Sequence, residues 1–229
     1  MHLISTIPGG WNPNDEGVFY IDQSPGDIVF LSSADSDLFM MNNAYKLVHN
    51  SVENAPSFRF ANLSYFKQEL TIDTYIDEVI SSAKIVVLKL LGGKAYYNYL
   101  CEAVTDCCEE NNIQLVFLPG DNKPDLELMQ SSNIPLKDVD LIWKYIQSGG
   151  IENCKSALQL INNRISDSKV TPNAIKTIPD LFLYHPKEGI YTTLKPKSTQ
   201  KKAIIFGYRS YYLSNNLAPI HSLISALET

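Results

Sequence analysis

The sequence lacks the features that mark several common classes of protein. It has 19 Lys and Arg residues against 25 Asp and Glu, so its formal net charge is −6 and no basic stripe can neutralise nucleic-acid phosphates. No apolar run approaches the roughly 20 residues that a membrane-spanning helix needs. The amino-terminus, MHLISTIPGGW, has neither the basic start nor the apolar core of a secretion signal. We therefore expect a cytoplasmic protein that binds neither nucleic acid nor a membrane.

Cysteine and histidine are too few and too scattered to predict a metal site or a hydrolase triad. No CxxC spacing occurs and no histidine accompanies the cysteines, which favours reduced thiols on helices. Phosphate-loop and dinucleotide-binding glycine motifs are also missing. We expect no catalytic residue, no metal ligand and no cofactor in this chain. The residues concerned are Cys101, Cys107, Cys108, Cys154, His2, His49, His185 and His221.

The most informative stretch runs from Ile85 to Tyr99 and reads IVVLKLLGGKAYYNY. A continuous apolar run is typical of a strand that is buried on both faces of a parallel sheet. Gly92 and Gly93 then turn the chain, and the aromatic segment that follows can form a helix. This stretch predicts a central strand-turn-helix unit.

Apolar runs alternate with amphipathic segments along most of the chain, and this order predicts an α/β fold. Parallel neighbours need crossover helices, so we predict an open, mostly parallel, doubly wound sheet of the flavodoxin-like kind with extra C-terminal helices. Two short strands, His2–Ile7 and Val18–Ile21, are predicted around a polar loop at residues 11–17. The main predicted strands are 28–31, 58–63, 84–91 and 113–118, and the predicted helices are 38–48, 72–82, 96–111, 124–129, 136–148 and 151–165.

The last part of the chain predicts a separate unit. Residues 1–167 form the α/β domain in this interpretation, and residues 168–200 are a Pro-rich linker with a solvated lysine cluster at its end. Residues 201–229 then begin a second α/β domain, with a buried strand at 202–208 (KAIIFGY) and a helix at 218–227. One strand and one helix cannot bury their own apolar faces. They either complete the first domain or open a second one.

Candidate binding residues lie where the strands of the main sheet end. In open α/β sheets, ligands bind beyond the carboxyl ends of the strands near a topological switch point. Small polar residues after the first of these strands could line such a cleft, or could simply cap the next helix. Tyr96, Tyr97 and Tyr99 could stack on a flat ring, although core packing is the more common role of such residues. The candidate substrate-binding residues are Ser33, Asp35, Gly92, Gly93, Gly120 and Asp121.

Six stretches of the sequence resemble the N-terminal region of the large subunit of aerobic cobaltochelatase, the CobN family, which is related to the magnesium chelatase large subunit. They occur in the family's order and cover nearly the whole chain. They read HLISTIPGGWNPNDEGVFYI, IVFLSSADSDL, LLGGKAYYNY, FLPGDNKPDLELM, WKYIQSGGIENCKSALQLI and YRSYYLSNNLAPIHSLISALE. Asn215, Leu217 and His221 depart from the usual family pattern, which places Gly, Thr and Asp at these positions.

The resemblance implies a role in ATP-dependent insertion of Co²⁺ into hydrogenobyrinic acid a,c-diamide during cobalamin biosynthesis. It implies that separate AAA+ subunits hydrolyse ATP-Mg, and that the remainder of the large subunit carries the catalytic groups. By itself, a fragment of this kind is expected to be inactive. The alternative hypothesis is a stand-alone module that binds a corrin, a porphyrin or another small ligand, or that docks a partner, without catalysis.

Overall fold

The structure is a computed structural model that describes residues 19–49, 55–166, 169–193 and 203–228. The strand predicted at 2–7 and the polar loop at 11–17 lie outside these ranges. Within them, no helix is both long and apolar enough to cross a membrane.

A four-stranded parallel sheet forms the centre of the fold. Its strands are β1 (Ile28–Ser32), β2 (Phe58–Asn62), β3 (Ile85–Leu90) and β4 (Gln114–Pro119), in the order β2-β1-β3-β4. Every residue of β1 and β3 is buried, as expected of central strands that are covered on both faces. The strand order has its switch point between β1 and β3, so the predicted flavodoxin-like sheet is confirmed.

Helices cover both faces of the sheet, because alternate side chains of each strand point to opposite sides. Val86 and Leu88 pack on α2 (Glu69–Tyr75) and α3 (Asn98–Glu110). Ile85 and Val87 lie in a second cluster, on the other face. That face is covered by α1 (Asp35–His49), α5 (Leu136–Ser148) and α6 (Ile151–Ile165), and the short α4 (Leu126–Gln130) follows β4.

The helix predicted at 72–82 has a different form in the structure. It begins earlier, at Glu69, and after Tyr75 it continues as a π-helical turn, Ile76–Ile80. The apolar residues on one face of this segment are buried against the sheet: Ile72, Tyr75, Ile76, Val79 and Ile80. Two 3₁₀ turns, Leu63–Tyr65 and Lys94–Tyr96, join strands to helices. The second turn replaces the start of the helix that was predicted from residue 96.

Two predicted strands are wrong. Residues 19–21 form no strand, and it is the side chain of Gln23 that reaches β2, where Nε2 donates to Phe60 O at 2.9 Å. Residues 203–208 form no strand either, because no other segment in the described ranges pairs with them. The range predicted as a linker contains an antiparallel hairpin, β5 (Leu183–His185) and β6 (Gly189–Tyr191). Two further helices follow, α7 (Arg209–Leu213) and the predicted α8 (Ala218–Leu227).

Asp27 joins the amino ends of three strands, and this predicts an acid-sensitive contribution to stability. Its carboxylate accepts from Ser57 N at 2.9 Å and pairs with Lys84 at 2.8 Å. The Lys84 contact, together with the Ser57 hydrogen bonds, lowers the pKa of Asp27 from 3.8 to about 2. A carboxyl group whose pKa is lower in the folded than in the unfolded chain stabilises the fold at pH values above the unfolded-state pKa. This stabilisation is lost as the pH falls from about 4 to about 2.

We expect the Asp27→Asn variant to be less stable than the parent at pH 7, and this difference to shrink on acidification. Urea unfolding at pH 7, 4 and 3 measures it. Asp140→Asn, which breaks an exposed pair with Lys144, is the matched control. A difference that stays constant down to pH 3 would contradict the assignment.

Candidate functional site

The two aspartates that follow β1 differ in their exposure: Asp35 faces solvent and Asp37 is buried. Asp35 begins α1 and is exposed, and its Oδ1 accepts from Asn62 Nδ2 at 2.6 Å, which ties the helix to the end of β2. Ser33, which lies between β1 and Asp35 in sequence, is half-buried. Asp37, two residues after Asp35, points inward and is 9% exposed. Of the two aspartates in this loop, only Asp35, a predicted binding residue, presents its carboxylate to solvent.

Asp37 belongs to a buried polar cluster at the carboxyl ends of β1 and β3. Its Oδ2 accepts from Lys89 Nζ at 2.6 Å and from Ser32 Oγ at 2.8 Å. Lys89 is 4% exposed and Ser32 is 1% exposed, so the ion pair is withdrawn from water. Ser32 Oγ also accepts from Ala34 N at 3.2 Å. The cluster therefore connects the loop after β1 to the strand that carries the glycine turn.

The glycine turn after β3 leaves one glycine covered and the other open. Gly92 and Gly93 have φ angles of 81° and 80°, a region that favours glycine. A Cβ on Gly92 would lie 2.7 Å from Cδ2 of Tyr96, whose ring covers it, whereas a Cβ on Gly93 would meet nothing within 4 Å. Gly93 is therefore the position where the backbone can be approached by a ligand.

The three tyrosines after the turn differ in their exposure. Tyr96 is 78% exposed, while Tyr97 packs against the core on the α2 and α3 face of the sheet. The hydroxyl of Tyr99 donates to Asp73 Oδ1 at 2.8 Å, and this bond raises the pKa of Tyr99. Of the three rings, the one with the largest free surface for stacking is that of Tyr96.

Gly120 ends β4 and packs tightly against β3. Its N–H donates to Leu90 O at 2.7 Å, and an added Cβ would lie 2.7 Å from both N and Cα of Leu91. The absence of a side chain is thus required by the approach of two backbones. Asp121, the next residue, is exposed.

Gly93 and Asp121 line an open cleft of about 750 Å³, which we call the β3–β4 cleft. It lies at the carboxyl ends of these two strands, one strand away from the switch point between β1 and β3. Lys123 provides a positive charge there, while the carboxylate of Asp125 is engaged by Leu128 N at 3.0 Å. The other lining residues are Leu90, Pro119, Asn122, Pro124, Leu126 and Leu128.

A second open groove, of about 680 Å³, lies beside strand β2 and is called here the β2-edge groove. Asp35 is the one predicted site residue that lines it. The groove is rich in aromatic rings, and Phe19 stacks on Tyr65 with 4.9 Å between ring centroids. The six predicted residues are therefore divided: two line the β3–β4 cleft, one lines the β2-edge groove, and Ser33, Gly92 and Gly120 line neither.

The described residues show how the potential metal ligands and the cysteine thiols are placed. No group of three or more His, Cys, Asp or Glu side chains that could hold a metal occurs among the described residues. Burial raises the pKa of all four cysteine thiols, for example to about 11 for Cys101 and to about 12 for Cys108 and Cys154. At neutral pH these thiols are protonated and weak nucleophiles.

Sequence reasoning missed Lys89, although the sequence carries a signal for it. Lys89 is the single charge inside the apolar run IVVLKLL, and a charge within a strand that is buried on both faces requires a partner. The sequence does not show which acidic residue pairs with Lys89, because Asp35 and Asp37 both lie just before the same predicted helix. The structure assigns Asp37 to this role.

Comparison with known proteins agrees with this architecture. Residues 143–229 match a family model described as CobN/magnesium chelatase. The aerobic cobaltochelatase subunit CobN of Pseudomonas aeruginosa is 30% identical over 82% of this chain and 15% of its own length. The subunit of the same name from a Sinorhizobium species is 27% identical over 100% of this chain and 18% of its own length. The chain thus spans less than a fifth of these curated relatives.

A solved structure, the catalytic subunit of cobaltochelatase from Mycobacterium tuberculosis, has a similar fold. The TM-score is 0.58 at 20% sequence identity, over 88% of this chain and 15% of the other. This likeness supports the fold, while the sequence matches above identify the relatives. The chain belongs to the CobN/magnesium chelatase family.

Proposed function

We propose that this chain is the N-terminal part of a cobaltochelatase large subunit. The reaction proposed for the complete complex is ATP-dependent insertion of Co²⁺ into hydrogenobyrinic acid a,c-diamide, with Co²⁺ and the corrin as substrates. The observation that carries the proposal is the match to two CobN subunits over 82% and 100% of this chain. The chain carries no phosphate-loop motif, which fits a complex in which AAA+ partner subunits bind ATP-Mg.

The contribution of this chain in the proposal is to enclose the macrocycle or to dock its partners. Metal insertion needs groups that accept the two ring protons as the metal enters. In this proposal we assign no catalytic residue to the chain. The proposed catalytic groups lie in the remainder of the large subunit, and the proposed compartment is the cytoplasm, in keeping with four free, buried cysteines.

Deleting the gene from its organism tests this proposal. We expect the metal-free corrin diamide to accumulate and the cobalt corrin to disappear, and a plasmid copy of the gene to restore the cobalt corrin. Liquid chromatography with mass spectrometry measures both compounds. An unchanged cobalt-corrin content in the deletion strain would overturn the proposed function, whereas cobalt insertion by the purified chain with AAA+ subunits alone would overturn its inactivity.

A second candidate function is binding of a tetrapyrrole or another flat ligand in the β3–β4 cleft without catalysis. Two features favour it: the open backbone at Gly93, which a flat ring can approach, and the exposed ring of Tyr96, which lies three residues after Gly93 in sequence, outside the cleft lining, and offers a surface for stacking. Absorbance titration with a corrin and with a porphyrin tests the idea. We expect a spectral shift that Tyr96→Ala weakens and that Tyr20→Ala, in the β2-edge groove, leaves intact. No shift at high ligand concentration would remove this candidate.

A further inference from the structure

The floor of the β2-edge groove is the outer edge of the parallel sheet. β2 pairs with β1 on one side and, in the described part of the chain, with no strand on the other. Ile28 N donates to Ser57 O at 3.0 Å, so Ser57 faces β1. Because successive residues of a strand alternate in direction, Phe58, Phe60 and Asn62 direct their backbone groups away from the sheet. Every residue of β2 lines the groove, so a ligand in the groove can reach this edge.

The outward N–H groups of β2 are available as hydrogen-bond donors. Side chains already contact the outward carbonyls, since Gln23 Nε2 donates to Phe60 O at 2.9 Å and Arg59 Nη1 donates to Phe58 O at 2.8 Å. The described residues supply no acceptor for the N–H groups of Phe58, Phe60 and Asn62. These donors are two residues apart, or roughly 6.6 Å, which is the spacing of carbonyl groups along one edge of an extended peptide.

The opposite edge of the same sheet is closed by side chains. Leu115 N donates to Asn133 Oδ1 at 2.6 Å, and Phe117 N donates to Ser132 Oγ at 2.9 Å. Proteins commonly block an exposed edge strand in this way, because unpaired strand N–H groups are a template for pairing with another chain. The contrast between β4 and β2 indicates that the open edge of β2 has a use.

Two segments flank the edge of β2 on opposite faces of the sheet. Leu38 of α1 packs on the face that α5 and α6 cover, and Ile21 packs on the face that α2 and α3 cover. Side chains of an added strand would alternate between these two faces, so each set would contact one flanking segment. The groove offers exposed aromatic rings for these contacts, those of Tyr20, Phe39 and Tyr65, which are exposed by 61%, 43% and 49%.

The exposed charges of the β2-edge groove are negative. Asp22 and Asp35 line it, and both are exposed. Arg59 is the one cationic residue among its described lining residues, and its guanidinium group is already engaged, because it donates to Ser24 O and Pro25 O. Lysine or arginine side chains of an occupant would complement the two carboxylates, whereas acidic side chains would be repelled.

We propose that the β2-edge groove binds an extended, basic segment of a separate polypeptide, which adds to the sheet as a strand beside β2. An extended peptide supplies carbonyl acceptors at the spacing of the free N–H groups and side chains on both faces, which a lipid or a small apolar molecule does not. Lysine or arginine side chains of this segment lie near Asp22 and Asp35. This site is separate from the β3–β4 cleft and does not depend on metal insertion.

NMR titration of the isotopically labelled full chain with three synthetic peptides tests the proposal. The basic probe is TVKVKVTV, the acidic probe is TVEVEVTV, and the third probe is the basic peptide with N-methylated backbone amides. We expect the basic probe to shift the amide resonances of Phe60 and Asn62 and to leave that of Gly93, in the β3–β4 cleft, unchanged. The acidic probe should bind about tenfold more weakly, because two charges change sign beside two carboxylates. The N-methylated probe should cause no shift, because its methyl groups block strand pairing.

Two charge-reversal variants test the electrostatic part of this interaction. We expect Asp22→Lys to weaken binding of the basic probe by about fivefold, because it replaces an attractive carboxylate by a repulsive ammonium group. Glu109→Lys makes the same change of charge at an exposed position of α3 outside the groove, and it should leave the affinity unchanged. The NMR titration gives the dissociation constants of both variants.

Several results would overturn the proposal. They are no shift at Phe60 with up to about 5 mM basic probe, equal affinity for the basic and acidic probes, and undiminished binding of the N-methylated probe. Nuclear Overhauser contacts from residues 1–18 to the Phe60 amide in the free chain would make this chain itself the occupant and would also overturn it. The corrin content of the deletion strain decides separately on the proposed function.

Discussion

Replacing Lys89 by methionine is expected to lower the free energy of unfolding by about 3–5 kcal/mol, because it leaves the carboxylate of Asp37 buried without its counter-ion. The Nζ–Oδ2 distance is 2.6 Å, and the two side chains are 5% and 12% exposed. In the parent protein, the desolvation of both charges is offset by their mutual attraction and by the hydrogen bond from Ser32 Oγ to Asp37. A loss of this size is a large part of the stability of a typical domain, which is about 5–15 kcal/mol.

Urea unfolding followed by circular dichroism measures this loss of stability. Two further variants test whether it comes from the buried, unpaired charge. Lys89→Met with Asp37→Asn should recover part of the stability, because no unpaired charge remains and the amide oxygen still accepts from Ser32 Oγ. Lys144→Met breaks an exposed pair with Asp140 at the same 2.6 Å distance and should cost less than about 0.5 kcal/mol. A cost below about 1 kcal/mol for Lys89→Met would show that the pair is not the structural link described here.

Replacing Gly120 by alanine is expected to cost about 3 kcal/mol, near the upper end for overpacking. The new Cβ would lie 2.7 Å from two backbone atoms of Leu91, and backbone atoms cannot rotate away as a side chain does. The ends of β3 and β4 would have to separate, and the 2.7 Å bond from Gly120 N to Leu90 O would lengthen or break. Thermal unfolding of the variant and the parent measures the loss.

Gly93→Ala is the matched control for Gly120→Ala. Its Cβ would enter open space, so the expected cost is about 2 kcal/mol from the backbone conformation alone, with φ at 80° and ψ at −173°. The comparison separates a glycine needed for packing from one that leaves the backbone open to a ligand. If Gly93→Ala were the more destabilising of the two, the assignment of their roles would have to be exchanged.

The parallel sheet was predictable from the sequence because central strands carry an unusual pattern. Runs such as Ile28–Leu31 and Ile85–Leu88 are apolar at consecutive positions, which only a strand buried on both faces requires. The amphipathic periods of α5 and α6 predicted those helices with their observed bounds. Short elements were less predictable. Hairpin β5–β6 has strands of three residues, too few to show a period.

Segment 202–208 shows how a correct local pattern can mislead. Its composition favours a strand, but a strand exists only where a second strand supplies hydrogen-bond partners, and composition carries no information about that partner. In the described part of the chain nothing pairs with residues 203–207. Phe206 and Ile204 are consequently exposed, by 93% and 65%.

The sequence by itself determined the fold class, the family resemblance and the places where loops meet, since these depend on local periodicity and on the order of motifs. The tertiary structure decided which residues do what at those places. Asp35 and Asp37 are two positions apart, yet one lines a groove while the other neutralises Lys89, 52 residues away in sequence. Gly93 and Gly120 are both glycines at strand ends, yet one is open and the other is packed on backbone. Such assignments depend on contacts between distant segments, and only the folded chain brings those segments together.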